Sequence, residues 1–158
     1  MTEEKSDLTT RLATFLATGF GSGYSPFAPG TAGSLVGLVL LVPLRRAGLG
    51  VEIGCLVLFT ALGIAAGTLV ARRLGLEDPS IVVVDEIVGM WVSLLFLPLT
   101  WTTAIVGFIL FRIMDVVKPL GIRRLGDLPG GWGVVFDDLA AGLAANLLLQ
   151  LMRCFYSF

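Results

Sequence analysis

Asp85 and Glu86 stand side by side in SIVVVDEIVGMWVSLLF, directly after the apolar run Ile81 to Val84. Each charge buried in such a run costs several kcal/mol unless it is paired or bound to a metal. A second charged group is FRIMDVVKP, where Arg112, Asp115 and Lys118 recur every third residue and so stack on one helix face. A third is GGWGVVFDDLAAG, where Asp137 and Asp138 follow a glycine-rich turn. The chain has no histidine, which removes every mechanism that needs an imidazole base, nucleophile or ligand. Hard oxygen ligands alone suit magnesium, so Asp85, Glu86, Asp115, Asp137 and Asp138 read as a catalytic, metal-holding set. A guanidinium and an ammonium on one face suit phosphate oxygens, so Arg112 and Lys118 read as substrate-binding.

Plainer readings stand beside these. Asp85 and Glu86 could form a structural ion pair with Arg112. Lys118 could snorkel to the interface. Asp137 and Asp138 could simply favour the dipole at a helix start. Gly89 and Gly142 lie one turn after Asp85 and Asp138, leaving bare faces where a ligand or another backbone can approach.

The stretch GFGSGYSPFAPGTAGS holds Gly19, Gly21, Gly23, Gly30 and Gly33 with the hydroxyls of Ser22, Ser25, Thr31 and Ser34. A loop of this kind ahead of a helix can offer backbone N–H groups to an anion. Gly21, Ser22, Gly23, Ser25, Gly30, Thr31 and Ser34 therefore join the substrate-binding candidates, although a re-entrant structural loop explains the composition equally well. No Gly-Lys-Ser/Thr follows, so it is not a nucleotide P-loop. Magnesium, cationic side chains and an N–H-lined loop together equip a site for phosphoryl transfer. A metal-activated water and a carboxylate nucleophile both remain open as the attacking group. Cys55 and Cys154 lie in apolar runs, which excludes cysteine phosphatase chemistry. An aspartate-nucleophile strand would need a second aspartate at position 87, which is Ile87.

The elements that position these residues are apolar. Hydrophobic residues make up 56% of the chain, charged residues 15%, and mean hydropathy is +0.91, against roughly 25% charged in ordinary soluble domains. Several runs approach the roughly 20 residues that cross a bilayer. The reading is a single all-α domain over residues 1–158, a small polytopic membrane helical bundle with a Gly-rich, potentially re-entrant N-terminal segment. Helices are expected over about Thr31 to Leu44, Gly50 to Ala71, Pro79 to Leu97 (capped by Asp78), Trp101 to Lys118, and Asp137 to Tyr156. Leu12 to Phe20 is expected at the interface.

With the N-terminus inside, Lys5, Arg11, Arg72, Arg73, Lys118, Arg123 and Arg124 are cytoplasmic, whereas Arg45, Arg46 and Arg153 are not. This orientation brings the charged groups to the cytoplasmic end. A net charge of −1 argues against a nucleic-acid partner. The acidic N-terminus lacks the pattern of a secretory signal. Oligomeric state leaves no mark in the sequence.

The four stretches GFGSGYSPFAPGTAGS, DEIVGMW, GFILFRIMDVVKP and GGWGVVFDDLAAG, in this order, closely resemble the bacterial phosphatidylglycerophosphatase A family. The resemblance implies an all-helical, multi-pass enzyme of the bacterial cytoplasmic membrane, with its active site facing the cytoplasm. It implies magnesium-dependent hydrolysis of the phospholipid phosphatidylglycerophosphate to phosphatidylglycerol and phosphate. The family's acidic positions fall on Asp85, Glu86, Asp115, Asp137 and Asp138, and its basic ones on Arg112 and Lys118. Two rival classes are a magnesium-dependent phosphoalcohol transferase, whose Asp-Gly and Ala-Arg spacing is absent, and a small ion transporter, which would need polar residues across the whole membrane.

Overall fold

The computed structural model describes residues 2–76, 79–119 and 121–155. Among these residues the chain is all-α and contains no strand. The helices are α1 (Thr2–Ala17), α2 (Pro29–Ala47), α3 (Leu49–Leu74), α4 (Val84–Leu94), α5 (Trp101–Val117), the single turn α6 (Arg123–Gly126) and α7 (Gly131–Phe155), with one 3-10 turn at Ser22–Tyr24. α2, α3 and α7, of 19, 26 and 25 residues, are long and apolar enough to cross a membrane. Their outward faces carry Val39, Val57, Leu62, Leu143 and Leu147, all exposed, as expected where lipid rather than water is the solvent.

α4 is the hub. It has only 11 residues, about 16 Å at 1.5 Å per residue, roughly half a bilayer core. Nine of its residues are buried, because α2, α3, α5 and α7 surround it. Trp91, Phe111, Leu41, Met90, Leu94 and Leu149 fill the core around it, and the Trp91 indole N–H donates to the Gly37 carbonyl at 2.7 Å.

α4 and α7 run in the same direction in a constant register. A Cβ on Gly142 would overlap the carbonyl oxygen of Gly89, and a Cβ on Gly89 would lie 2.9 Å from the carbonyl oxygen of Asp138. One turn further along, the Asn146 amide donates to the carbonyls of Ser93 at 3.1 Å and Leu95 at 2.9 Å. The bare faces after Asp85 and Asp138 thus meet each other, and backbone approaches backbone.

The far end of α4 is capped by a cation. Arg45, at the end of α2, donates to the Leu94 carbonyl at 2.9 Å and also to the Leu97 carbonyl. Its charge is balanced by the fully buried Glu52, at 2.9 Å. The orphan carbonyls of a helix that ends inside the bundle are thereby satisfied.

The boundaries correct the sequence reading in three places. α4 begins at Val84, not Pro79, and ends at Leu94, because residues 79–83 form a turn and irregular backbone ahead of the helix, tied by the Val83 N–H to the Ala17 carbonyl at 2.8 Å. α7 begins at Gly131, not Asp137. The Gly-rich turn is itself the first turn of the helix, since Gly131 and Gly133 pack directly against the backbones of Ile64, Gly126 and Leu128. α2 runs without a break from Pro29 to Ala47, longer at both ends than the expected Thr31 to Leu44 and long and apolar enough to cross a membrane. The expected Asp78 cap lies outside the described residues.

Replacing Gly142 with alanine should force α4 and α7 apart and cost about 1–3 kcal/mol. Thermal unfolding in detergent should show a lower midpoint, and an unchanged midpoint would mean that this crossing tolerates separation.

Candidate active site

The α4–α7 register places three carboxylates face to face. One oxygen from each of Asp85, Glu86 and Asp138 lies within 4.8 Å of the other two. Asp85 and Glu86 occupy the first turn of α4, where the helix dipole favours negative charge. Asp138 lies seven residues into α7, about 10 Å from its start. The dipole explanation for Asp137 and Asp138 therefore fails, since the effect is confined to the first turn.

Asp85 Oδ1, Glu86 Oε2, Asp137 Oδ1 and Asp138 Oδ2 are buried without a hydrogen-bond partner. Carboxylates this close, with orphaned oxygens, repel one another unless a cation or protons compensate them. An all-oxygen donor set fits a hard divalent cation.

The other two predicted acids lie beside this group but hold basic side chains. Asp115 pairs with Arg112 at 2.9 Å and with Lys118 at 3.7 Å, and its carboxyl comes within hydrogen-bonding reach of Asp138. Asp137 hydrogen-bonds to the Lys118 ammonium, which also lies 3.9 Å from Asp138. Lys118 adopts a left-handed conformation, φ 46°, where α5 ends, and this turns its side chain back over the cluster. Burial works to lower the Lys118 ammonium, but its bond to Asp137 and the charges of Asp137, Asp138 and Asp115 outweigh that, so it sits above its ordinary value.

The glycine-rich segment divides into two parts. From Gly19 to Ser25 every backbone N–H is taken by a carbonyl within the turn or in α1. Ser22 donates to the Gly19 carbonyl at 2.9 Å and Ser25 to the Phe27 carbonyl at 2.8 Å. Gly23 packs on the Ile81 carbonyl, whereas Gly21, with φ +93°, has open space beside it. These four residues thus build a turn that seats residues 81–83. They do not offer the row of free N–H groups expected from the sequence.

The second part reaches the carboxylates. α2 begins at Pro29 with no side-chain cap, so the N–H groups of Gly30 and Thr31 have no acceptor within the helix. A Cβ on Gly30 would collide with Glu86 Oε1 and lie 3.2 Å from the Arg112 guanidinium. Ser34 donates to the Gly30 carbonyl at 2.9 Å and lies 3.3 Å from Arg112 Nη1. Arg112, two uncapped N–H groups and a carboxylate trio therefore share one end of the bundle, the arrangement that holds a phosphate beside a cation.

The family model for phosphatidylglycerophosphatase A matches residues 15–153. The chain belongs to the phosphatidylglycerophosphatase A family. It is similar to the phosphatidylglycerophosphatase A of Escherichia coli strain K12, 38% identical over 144 residues covering 87% of this chain and 81% of the relative. The protein of the same name from Haemophilus influenzae is 39% identical over 140 residues, covering 85% and 84%. A Bacteroides thetaiotaomicron protein named "Putative phosphatidylinositol-3-phosphatase" is 44% identical over 150 residues, covering 90% and 94%. No solved structure matches.

Within this phosphatidylglycerophosphatase A-family fold, Asn146 and the Arg45–Glu52 pair are polar residues whose structural roles escape the sequence motifs. Asn146 lies eight residues after Asp138 on the same helix face, and that spacing is the one signal that could have drawn attention to it.

Gly30→Ala should leave helicity unchanged and cut turnover at least about tenfold, because Glu86 and Arg112 must shift to admit the methyl group. Phosphate release set beside circular dichroism checks this, and undiminished turnover would place Gly30 outside the working site.

Proposed function

We propose that this chain hydrolyses the terminal phosphate monoester of phosphatidylglycerophosphate, yielding phosphatidylglycerol and phosphate, with magnesium held by Asp85, Glu86 and Asp138. The observation that carries the reading is the buried trio itself. Its oxygens lie within 4.8 Å of each other and include several without a partner. The names of the E. coli and H. influenzae relatives support the substrate.

Bound there, the ion would supply Lewis acidity and a more acidic attacking water. The chain's own residues do the rest. Arg112 forks onto two oxygens of the terminal phosphate, oriented by Asp115 and Ser34. The N–H groups of Gly30 and Thr31 take a further oxygen at the start of α2. Lys118, anchored by Asp137, contributes a fixed positive charge against the charge gathered on the phosphoryl group. Asp115 and Asp137 thus belong to the site as holders of the two cations, with Asp138 shared between cation binding and Lys118. Three helices that can span a bilayer and basic residues gathered at the ends of α3, α5 and α6 support a site facing the cytoplasm of a bacterial inner membrane.

The Bacteroides relative favours a second substrate, phosphatidylinositol 3-phosphate, which also presents a phosphate monoester on a glycerophospholipid. Phosphate release from phosphatidylglycerophosphate, phosphatidylinositol 3-phosphate and phosphatidate in mixed micelles separates the two readings. The proposal expects fastest turnover of the first, abolished by chelation and restored by magnesium. Release from none of them would overturn it.

Asp85→Asn and Asp138→Asn should each lower turnover by roughly 10³-fold or more while the protein still inserts and folds. Full activity in either would remove that carboxylate from the site. Arg112→Lys keeps the charge but loses the fork, and KM should rise roughly tenfold or more. Unchanged kinetics would refute the clamp.

A further inference from the structure

Away from the carboxylates, the seam between α3 and α7 forms a groove of two adjoining parts. The lower part, about 510 Å3, is apolar and is lined by Leu56, Ile64, Trp132 and Phe136 among others. The upper part, about 500 Å3, lies at the end of α3 and is lined by Arg72, Gly130 and again Trp132. Beside it, Arg72 and Arg73 line a further hollow. Trp132 joins the two parts, 51% exposed and stacked on Phe136 with ring centroids 5.5 Å apart. Arg72 and Arg73 make no ion pair among the described residues.

This groove is separate from the proposed phosphatase site. At 100° per residue, Trp132, Phe136 and Leu139 share one face of α7, whereas Asp137 and Asp138 point to the opposite side, where they are buried against α4 and α5. The mechanism uses none of the groove residues.

We propose that the α3–α7 groove binds an anionic phospholipid, with an acyl chain against Trp132, Phe136 and Ile64 and the phosphodiester on Arg72, with the charge of Arg73 nearby. Depth supports this occupant. From Trp132 to Leu139 the apolar part follows α7 for about 10 Å, within the roughly 15 Å half-thickness of a bilayer core. Trp132 then sits at headgroup level, where tryptophan concentrates in membrane proteins. Charge supports it too, because the Arg72 guanidinium at the head of an apolar slot, with Arg73 lining the adjoining hollow, favours an anionic headgroup over a zwitterionic one. The groove does not require the lipid to be hydrolysed, so the inference goes beyond the catalytic proposal.

The test uses the full chain carrying Trp101→Phe in phosphatidylcholine vesicles, so that Trp132 is the tryptophan exposed to lipid and Trp91 stays buried. Chain-brominated phosphatidylglycerol, phosphatidylserine or phosphatidylcholine is added as quencher. Both anionic lipids should half-quench Trp132 at a mole fraction roughly fivefold or more below that of phosphatidylcholine. Arg72→Gln with Arg73→Gln should bring all three to the same value, with helicity and phosphate release retained. Equal quenching by all three lipids in the unsubstituted arginine background would overturn the proposal, as would a preference that survives the double substitution. A preference for phosphatidylglycerol alone would also overturn it, because that would mark product held at the catalytic site. Phosphatidylserine has no monoester phosphate, so this outcome is independent of whether the chain is a phosphatase.

Discussion

The contact between Gly89 and Gly142 governs the rest of the molecule. Two helices whose backbones touch at this point are locked in register over about two turns, because a shift of one residue would drive a side chain into a carbonyl. That register sets Asp85 opposite Asp138 and, further along, Asn146 opposite the end of α4. Charge follows from packing here. Without side chains to hold the helices apart, carboxylates on facing turns come within the reach of one ion, a distance that their own repulsion would otherwise increase.

The half-length helix is the second constraint. A helix of 11 residues starting and ending inside a bundle exposes both sets of orphan backbone groups to an apolar surround. The structure deals with the two ends differently. At the far end, Arg45 closes the carbonyls and Glu52 neutralises the arginine. At the near end, Asp85 and Glu86 sit on the positive pole of the dipole and, being crowded by Asp138 and Asp115, are left with unpartnered oxygens. One end is electrostatically closed, and the other keeps carboxylate oxygens without a partner.

Much of this was legible in the residues. Acidic pairs in apolar runs, a three-residue spacing of Arg112, Asp115 and Lys118, and glycines one turn after two of the aspartates single out the components of the candidate site, and the structure brings these side chains together. The extents of α5 and α3 follow from hydropathy to within a few residues, since α5 is Trp101–Val117 against an expected Trp101 to Lys118 and α3 is Leu49–Leu74 against Gly50 to Ala71. What could not be read was how the five carboxylates divide, because Lys118 turns back through a left-handed residue that has no sequence signature in a lysine. The start of α4 escapes the sequence because Ile81 to Val83 are as apolar as the helix they precede, and hydropathy does not separate an irregular apolar segment from a buried helix. The Gly19–Ser25 segment was overvalued as a row of donors because composition does not reveal which N–H groups the turn itself consumes.

The claim under all of this is that Asp85, Glu86 and Asp138 jointly hold one divalent cation, and manganese titration followed by electron paramagnetic resonance tests it without reference to turnover. The unsubstituted protein should bind the ion, Asp138→Asn should lose that binding, and Asp127→Asn, at an exposed carboxylate outside the trio, should retain it. Undiminished manganese binding by Asp138→Asn would contradict the account.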